Sequence, residues 1–575
     1  MGTLQFSQTF QLFGKFTEGR KKYSRVASVS VVICFIALPV CLIFLKSSKL
    51  RFSEAVDSTA KPLEANALNS SAKLLGGVSE DVTQVAPLVA DGNNSSSKPS
   101  NTSSKPVTGQ HKLVDNDELV VASGFVKESC ISRYQYSSYH KNKPYKPSSY
   151  LITKLRSYEK LHTRCGPQSL HYRKTIRKLS RINHVKDSDT IPCKYLVWTP
   201  ANGLGNRMVS MASAFLYSVL ENRVFLVEFE AEMDCLFCEP FPNSTWLLPK
   251  NFPHKNHWSQ LPAFRKNRVN SEEDGFSPSF VHLDLQHGHG DHNLRQFHCN
   301  ETLFTLGKIP VLILISDQYF APYLFMSSTF KQEINKMFHE KAAVFHHLGH
   351  YLFNPSNEAW GLITRFYEAY LANADEKIGL QIRVYPHQKV PSQNIMSQIL
   401  SCTLTHNILP SLDSPNSPLR NTTSKSKAVL VASLSPDFAE GLKSLYWTRP
   451  TMNGDVIGVY QPSHEEYQKF GDNMHNMKAW AEIYLLSLCD VLVTSPVSTF
   501  GYVAQSLGGL KPWIMVRLGN NEHPNSACKR GFSMEPCLHV APQYDCKGGS
   551  KITNISKLNP HLSACEDVWW GVKLN

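Results

Sequence analysis

Between Tyr195 and Phe229 the chain passes through an apolar run, YLVWT, a turn bearing two glycines, PANGLGN, a segment with helical spacing of its apolar positions, RMVSMASAFLYSVLEN, and a second apolar run, RVFLVEF. Unbroken apolar runs of this length fit strands covered on both faces, so the stretch predicts a βαβ unit. A second series starts near Asp375, where KIGLQIRVY and KAVLVAS predict strands. From Lys478 to Met515 the pattern predicts a helix, a buried strand, a polar turn, a short helix and another strand. There Ser498 or Thr499 is placed to cap the short helix, and Gly508 and Gly509 to end it. VHLDLQHGHGDHNLRQFHC and VLILISDQYFAPYLF lie between the two series and are expected to complete the first. The fold class that follows is α/β, with two Rossmann-like domains facing a central cleft. Upstream, Tyr150 to Ile182 alternates basic and apolar residues at helical spacing and predicts two amphipathic helices.

The N-terminus has another texture. Val26 to Leu45 is an uncharged run of 20 residues, about 30 Å as a helix and enough to cross a bilayer core. Five basic residues from Lys15 to Arg25 precede it and three follow, which predicts a cytoplasmic N-terminus and a lumenal remainder. A cleaved signal peptide is the alternative; KSSKLR after the run does not offer its small-residue cleavage site. The expected organisation is a cytoplasmic tail (1–25), a signal-anchor (26–45), a flexible Ser- and Asn-rich stem (46–118), a first domain (119–372), a second (373–520) and a Cys-rich tail packing back on the body (521–575).

Eight N-x-S/T sequons, at Asn69, Asn93, Asn94, Asn101, Asn243, Asn300, Asn421 and Asn554, suit a secretory lumen, as do the twelve cysteines beyond the anchor. Of these, Cys235 and Cys238 form a CxxC without a second zinc-spaced pair, which predicts local structural sulfur. The net charge of +13 suggests a polyanion ligand until it is divided by region. Residues 1–190 carry 28 Lys and Arg against 14 Asp and Glu, and residues 191–575 carry 32 against 33. The folded part is neutral, which argues against nucleic acid and leaves a neutral glycan as plausible as an anion.

Candidate chemistry gathers at strand ends. The start of the helix after Ser498 presents free N–H groups and a positive dipole end to an anion. Arg383 ends IGLQIRV, where one guanidinium can clamp a pyrophosphate. Glu482 on the preceding helix can accept bonds from a ribose or base, and Asp317 in ISDQYF can serve as a base or as a turn residue. The glycines of Asn202 to Asn206 would let a ligand approach the backbone. His282, His287, His289, His292 and His298 suggest a metal site by type, but the glycines among them favour a loop.

The strings YKPSSYLITKLRSYEKLH, NGLGNRMVSMASAFLYSVLENRV, LFCEPFP with WLLP, VFHHLGHYLFNP, ADEKIGLQIRV and STFGYVAQSLGGLKPWI with SMEPC resemble the plant xyloglucan-type galactoside α-1,2-fucosyltransferases from about Leu119 onward. The resemblance implies a Golgi type II membrane protein of GT-B class that moves L-fucose from GDP-fucose to a galactose O2 with inversion and without a metal. The DxD at Asp187-Ser-Asp189 precedes the first core strand and agrees with that expectation. It further implies Arg383 on the donor pyrophosphate, with Ser498, Thr499 and Phe500 in the nucleotide-binding turn. Glu482 would face the nucleoside, Asp317 the acceptor, and Asn206 and Arg207 the cleft. Its implied partners are GDP-fucose, a galactose-terminated cell-wall polysaccharide or proteoglycan, the Golgi membrane, and a further copy or other Golgi glycosyltransferases.

The chain departs from the pattern at Pro496 and Val497, where Ala-Trp is usual, at Cys235 and Cys489, where Asp and Thr are usual, and in PHQK after Arg383. Two other readings stay open: a wall-glycan binding protein on the same fold, and a transferase for another nucleotide sugar.

Overall fold

The computed structural model describes residues 124–575 apart from 141–144, 187–188, 230, 256, 265–275, 289–290, 386–389, 417–423, 519–525, 544, 548–550 and 553. The expected anchor and stem, the sequons at Asn69, Asn93, Asn94, Asn101 and Asn421, His289 and the PHQK segment lie outside the described residues. Among the described residues no helix is long and apolar enough to cross a membrane.

The first half is a parallel four-stranded sheet made of β1 (Tyr195–Thr199), β2 (Val224–Val227), β3 (Phe280–Asp284) and β4 (Val311–Ile315), in the order β2-β1-β4-β3. Every residue of β1 and β2 is buried, which is why these strands appear in sequence as continuous apolar runs. The two expected amphipathic helices are α1 (Ser149–Cys165) and α2 (Leu170–Leu179), each capped by a serine, Ser148 and Ser169, whose hydroxyl accepts a first-turn N–H. The crossover from β1 to β2 is α3 (Leu204–Glu221).

The second half is a six-stranded sheet. It comprises β5 (Glu376–Ile382), β6 (Ser426–Ser433), β7 (Val456–Tyr460), β8 (Val491–Thr494), β9 (Trp513–Met515) and β10 (Cys528–Arg530), ordered β10-β9-β8-β5-β6-β7. All pairs are parallel except β9 with β10, which comes from the tail and pairs antiparallel. The predicted helix-strand-turn-helix-strand stretch is present, with α6 (Asn473–Ser487) before β8 and α7 (Thr499–Gly508) before β9. Gly509 ends α7 at φ +65°, while Ser498 occupies the N-cap without a side-chain cap bond.

The halves are not separate bodies, because α6, α7 and the pair α4 (Val344–Leu352) and α5 (Asn357–Phe366) share one apolar core with the first sheet. Trp480 of α6 stacks edge-on against Phe237 with ring centroids 5.3 Å apart, and Leu507 of α7 joins the cluster that contains Trp198 and Phe215. The tail is stapled to both halves, by Cys299–Cys546 to the first and Cys402–Cys528 to the second, and to itself by Cys537–Cys565. The buried Glu535 of the tail accepts the Tyr319 hydroxyl at 2.5 Å and the Phe345 N–H at 2.7 Å.

The remaining bridges are Cys130–Cys238 and Cys165–Cys193. The CxxC is therefore not a local unit: Cys238 is bonded 108 residues away, and Cys235 is a free, exposed thiol. Asn243, Asn300 and Asn554 are exposed, and the Asn300 amide donates to Ser328 at 2.5 Å.

Candidate active site

The chain order changes direction between β1 and β4 in the first sheet and between β5 and β8 in the second. Strand carboxyl ends splay apart at such a reversal and leave a crevice. The two crevices face one cavity of about 410 Å³, lined from β1 by Gly203 to Asn206, from β4 by Asp317 and Gln318, and from the second sheet by Arg383, Ser433 and Pro496 to Phe500.

Arg383 leaves the central strand β5, with β6 on one side and β8 on the other. Its backbone N–H donates to Ser495 Oγ at 2.8 Å, its Nη2 donates to Gln468 Oε1 at 3.3 Å, and its guanidinium lies 5.5 Å from the Tyr385 ring centre. Gln468 comes from the polar segment before α6, and a Cβ added at Gly203 would meet its Nε2 at 2.7 Å. Arg517 after β9 lines the same cavity, so two guanidinium groups serve it.

On the β6 side lies Glu482 of α6, buried and bonded by the Ser463 hydroxyl at 2.6 Å. Burial pushes its carboxyl up to about 8, so in the free protein the proton stays on through neutral pH. At the rim, Glu465 takes hydrogen bonds from Lys469 and Lys478, which hold its carboxyl down to about 2.

On the β8 side the turn into α7 faces Asp317. The Asp317 carboxylate accepts three N–H donors: Asn202 Nδ2 at 2.8 Å on Oδ2, and the His287 backbone and Gln318 Nε2, each at 3.0 Å, on Oδ1. Asn206 ties both halves together, donating to the Asp317 carbonyl at 3.0 Å and accepting the Thr499 hydroxyl at 3.0 Å. His539 of the tail completes this wall, its backbone N–H donating to Gln318 Oε1 at 3.3 Å.

Of the candidate residues, Arg383, Asp317, Glu482, Ser498, Thr499, Phe500 and Asn206 all meet in this cavity. Arg207 does not. It is buried at 7% exposure and its guanidinium pairs with the buried Glu232, because α3 turns position 207 away from the cavity mouth and into the contact with residues 231–233. The glycine at 205 also has a different use from the one expected: the backbone that approaches it is that of Thr499 and Phe500, not a ligand.

Among the described residues the histidines do not form a centre. His287 lines the cavity, whereas His298 sits against the Cys299–Cys546 bridge, so the donor group that includes it is already spent as a disulfide. Sequence reasoning missed Gln468, Ser463, Tyr385, Arg517 and His539. Tyr385 stands two residues from Arg383 and could have been read from that, but nothing local to the other four points to this site.

The xyloglucan fucosyltransferase family model matches residues 89–547. The galactoside 2-alpha-L-fucosyltransferase of Arabidopsis thaliana is 50% identical over 473 residues, spanning 80% of this chain and 84% of the relative. Its namesake from Pisum sativum is 47% identical over 469 residues, 80% of this chain and 82% of the relative. Among solved structures, a mutant of Arabidopsis thaliana FUT1 in complex with GDP superposes with a TM-score of 0.73 at 49% identity, covering 80% of this chain and 99% of that one.

Proposed function

The chain belongs to the xyloglucan fucosyltransferase family, and we propose that it is a galactoside α-1,2-fucosyltransferase, moving L-fucose from GDP-fucose to O2 of a terminal galactose on a cell-wall glycan with inversion at C1. The observation that carries this reading is the meeting of Arg383, the first turn of α7 and the buried Glu482 in one cavity at both switch points. A nucleoside diphosphate needs these three elements: donors for the pyrophosphate, a dipole end for its charge, and a polar group within an enclosed slot for the base.

The order of the strands arranges the donor. Arg383 stands between β6 and β8, so GDP with its base toward Glu482 has its phosphates at Arg383 and fucose C1 toward the turn before α7 and Asp317. The acceptor hydroxyl then attacks from the Asp317 wall while GDP departs, an in-line displacement that inverts C1. Charge grows on the leaving β-phosphate, and preorganised donors such as the Arg383 guanidinium and the α7 N–H groups stabilise it where it forms. Loss of one such donor costs about 10²- to 10³-fold in rate.

Xyloglucan side chains are the acceptor favoured by the family, with arabinogalactan as the second choice. The five disulfides among the described residues and the exposed sequons support a catalytic part inside the Golgi lumen, held by a single anchor over 26–45. The decisive experiment is an assay of the full chain with GDP-fucose over xyloglucan, arabinogalactan and pectic acceptors, with the linkage read by mass analysis. Transfer to a galactose O2 is expected. No transfer to any galactose, or turnover only with another nucleotide sugar, would overturn the reading.

A further inference from the structure

The hydrogen bonds around His539 decide which of its ring nitrogens is free. Tyr502 has one hydroxyl proton and donates it to Asp567 Oδ2 at 2.6 Å. Toward His539 Nε2, 3.3 Å away, the phenol oxygen can then only accept. Nε2 must carry the imidazole hydrogen, and Nδ1 keeps its lone pair. Nδ1 has no hydrogen-bond partner among the described residues, and His539 lines the cavity beside Asp317 and His287. Asp567, Tyr502 and His539 thus form a relay in which a carboxylate, through a phenol, orients an imidazole and stabilises its cation.

From this arrangement we propose that His539 is the general base of the transfer. Its Nδ1 takes the proton of the acceptor hydroxyl as that oxygen bonds to fucose C1. The bond from C1 to the β-phosphate oxygen breaks, and its electron pair leaves with GDP. The inference rests on the fucosyl-transfer reading above and names the base that reading leaves unassigned.

Asp317 is less suited to that task. Its two oxygens already hold three N–H donors, and a proton arriving there would weaken bonds that position Asn202, the His287 loop and Gln318. Because Gln318 in turn accepts the His539 backbone N–H, Asp317 acts as a positioning residue for the base. The charged or titratable groups facing His539 are Asp317, Asp567, Tyr502 and His287. Burial lowers the imidazole against the pull of the two carboxylates, which keeps it neutral and able to accept a proton at lumenal pH.

The test is steady-state kinetics of the full chain with GDP-fucose and a galactose-terminated xyloglucan oligosaccharide across pH 5 to 9. Wild-type turnover establishes the transfer itself; its absence would defeat the functional reading and is thereby distinguishable from a wrong base. With turnover present, His539→Gln is expected to lower kcat about 10²- to 10⁴-fold. KM for GDP-fucose should be nearly unchanged, GDP should still raise Tm, and the acidic limb of the pH profile should disappear. Tyr502→Phe removes the acceptor of Nε2–H and is expected to lower kcat less and to move the same limb. A His539→Gln enzyme with near wild-type kcat, or one that is slow but keeps the limb, overturns the assignment. If His539→Gln shows no GDP-dependent rise in Tm, Tyr502→Phe decides: an unmoved limb at wild-type kcat overturns it equally.

Discussion

Asp567 clamps Val497 in a left-handed turn. The Val497 N–H donates to Asp567 Oδ2 at 2.8 Å, and on the other side its carbonyl accepts the Tyr385 hydroxyl at 2.7 Å. Between these bonds Val497 holds φ +57°, a conformation that costs an L-residue about 1–2 kcal/mol and is rare for a β-branched side chain. The strain sits at the turn that presents Ser498 to Phe500 to the cavity, where strained backbone is held by surrounding contacts for the sake of geometry. The clamp is how this sequence keeps the turn with Pro496-Val497.

Removing the clamp should loosen both the fold and the donor site. Asp567→Ala removes the acceptor of two donors, the Val497 N–H and the Tyr502 hydroxyl, and a lost hydrogen bond to a charged group costs about 1.5–3 kcal/mol. A clear fall in Tm and weaker GDP binding are expected by thermal shift and calorimetry. Adding Val497→Gly should recover part of the Tm, since glycine takes positive φ without strain, but not the GDP affinity. Wild-type Tm and affinity in Asp567→Ala would show that the clamp holds nothing.

The two halves touch at backbone distance where α3 meets α7. A Cβ placed on Gly205 would come within 2.7 Å of the Phe500 N and the Thr499 hydroxyl, and 2.8 Å of the Thr499 carbonyl carbon. The first two turns of separate helices cannot both yield, because Asn206 and Thr499 are bonded to each other across the contact. Gly205→Ala is expected to lower stability by about 1–3 kcal/mol, the usual range for overpacking. It should also cut transfer more than Gly307→Ala, where the added Cβ meets only the Glu221 side chain at 3.4 Å. Comparable activity in the two variants would separate the α3–α7 contact from the site.

Arg207 should behave as a structural residue despite its place beside the glycine turn. Its partner Glu232 is buried at 4% exposure and also bonds the Gly471 N–H, so the pair joins α3, residues 231–233 and the segment before α6. Breaking a buried pair by removing one partner costs about 3–5 kcal/mol, because the other charge is left alone. Arg207→Met should therefore lower Tm strongly, and the protein that remains folded should bind GDP with an affinity close to wild type. A stable Arg207→Met enzyme that has lost GDP would return Arg207 to the donor site.

What the sequence disclosed and what it hid follow from how far each signal reaches. Strands buried on both faces write themselves as apolar runs, and helix caps and glycine stops are local, so β1, β2, β5, β6 and the whole α6 to β9 stretch could be read directly. Arg383 and Asp317 were legible because strand ends at a reversal of chain order are where side chains meet a crevice. Contacts between distant segments leave no period. Gln468 meets Arg383 across 85 residues and Gln318 meets His539 across 221, while Cys238 ignores its CxxC neighbour for Cys130. For the same reason Arg207 looked like a cleft residue: the turn that carries it was visible, but the carboxylate of Glu232 that claims it was not.

The pH dependence of donor binding tests the role of Glu482 with a definite sign. Burial raises its carboxyl to about 8 in the free protein, where among the described residues Ser463 donates to it. Guanine presents N–H donors at N1 and N2, which bond the ionised carboxylate more strongly than the acid, so binding GDP draws the proton off Glu482. Affinity should then rise with pH up to about 8 and level off above it, with proton release on binding measurable by calorimetry in buffers of different ionisation enthalpy. Folding runs the opposite way. A carboxyl raised above its unfolded value binds more protons in the native state, so its contribution is fully present below the ordinary carboxylate range and is lost as pH climbs toward 8. Glu482→Gln, which keeps the shape and never ionises, should thus raise the Tm of the free protein near pH 8 while weakening GDP about 10- to 100-fold, a stability gain bought with function. GDP affinity that is flat between pH 6 and 8, or unchanged by the substitution, would place the base elsewhere in the cavity.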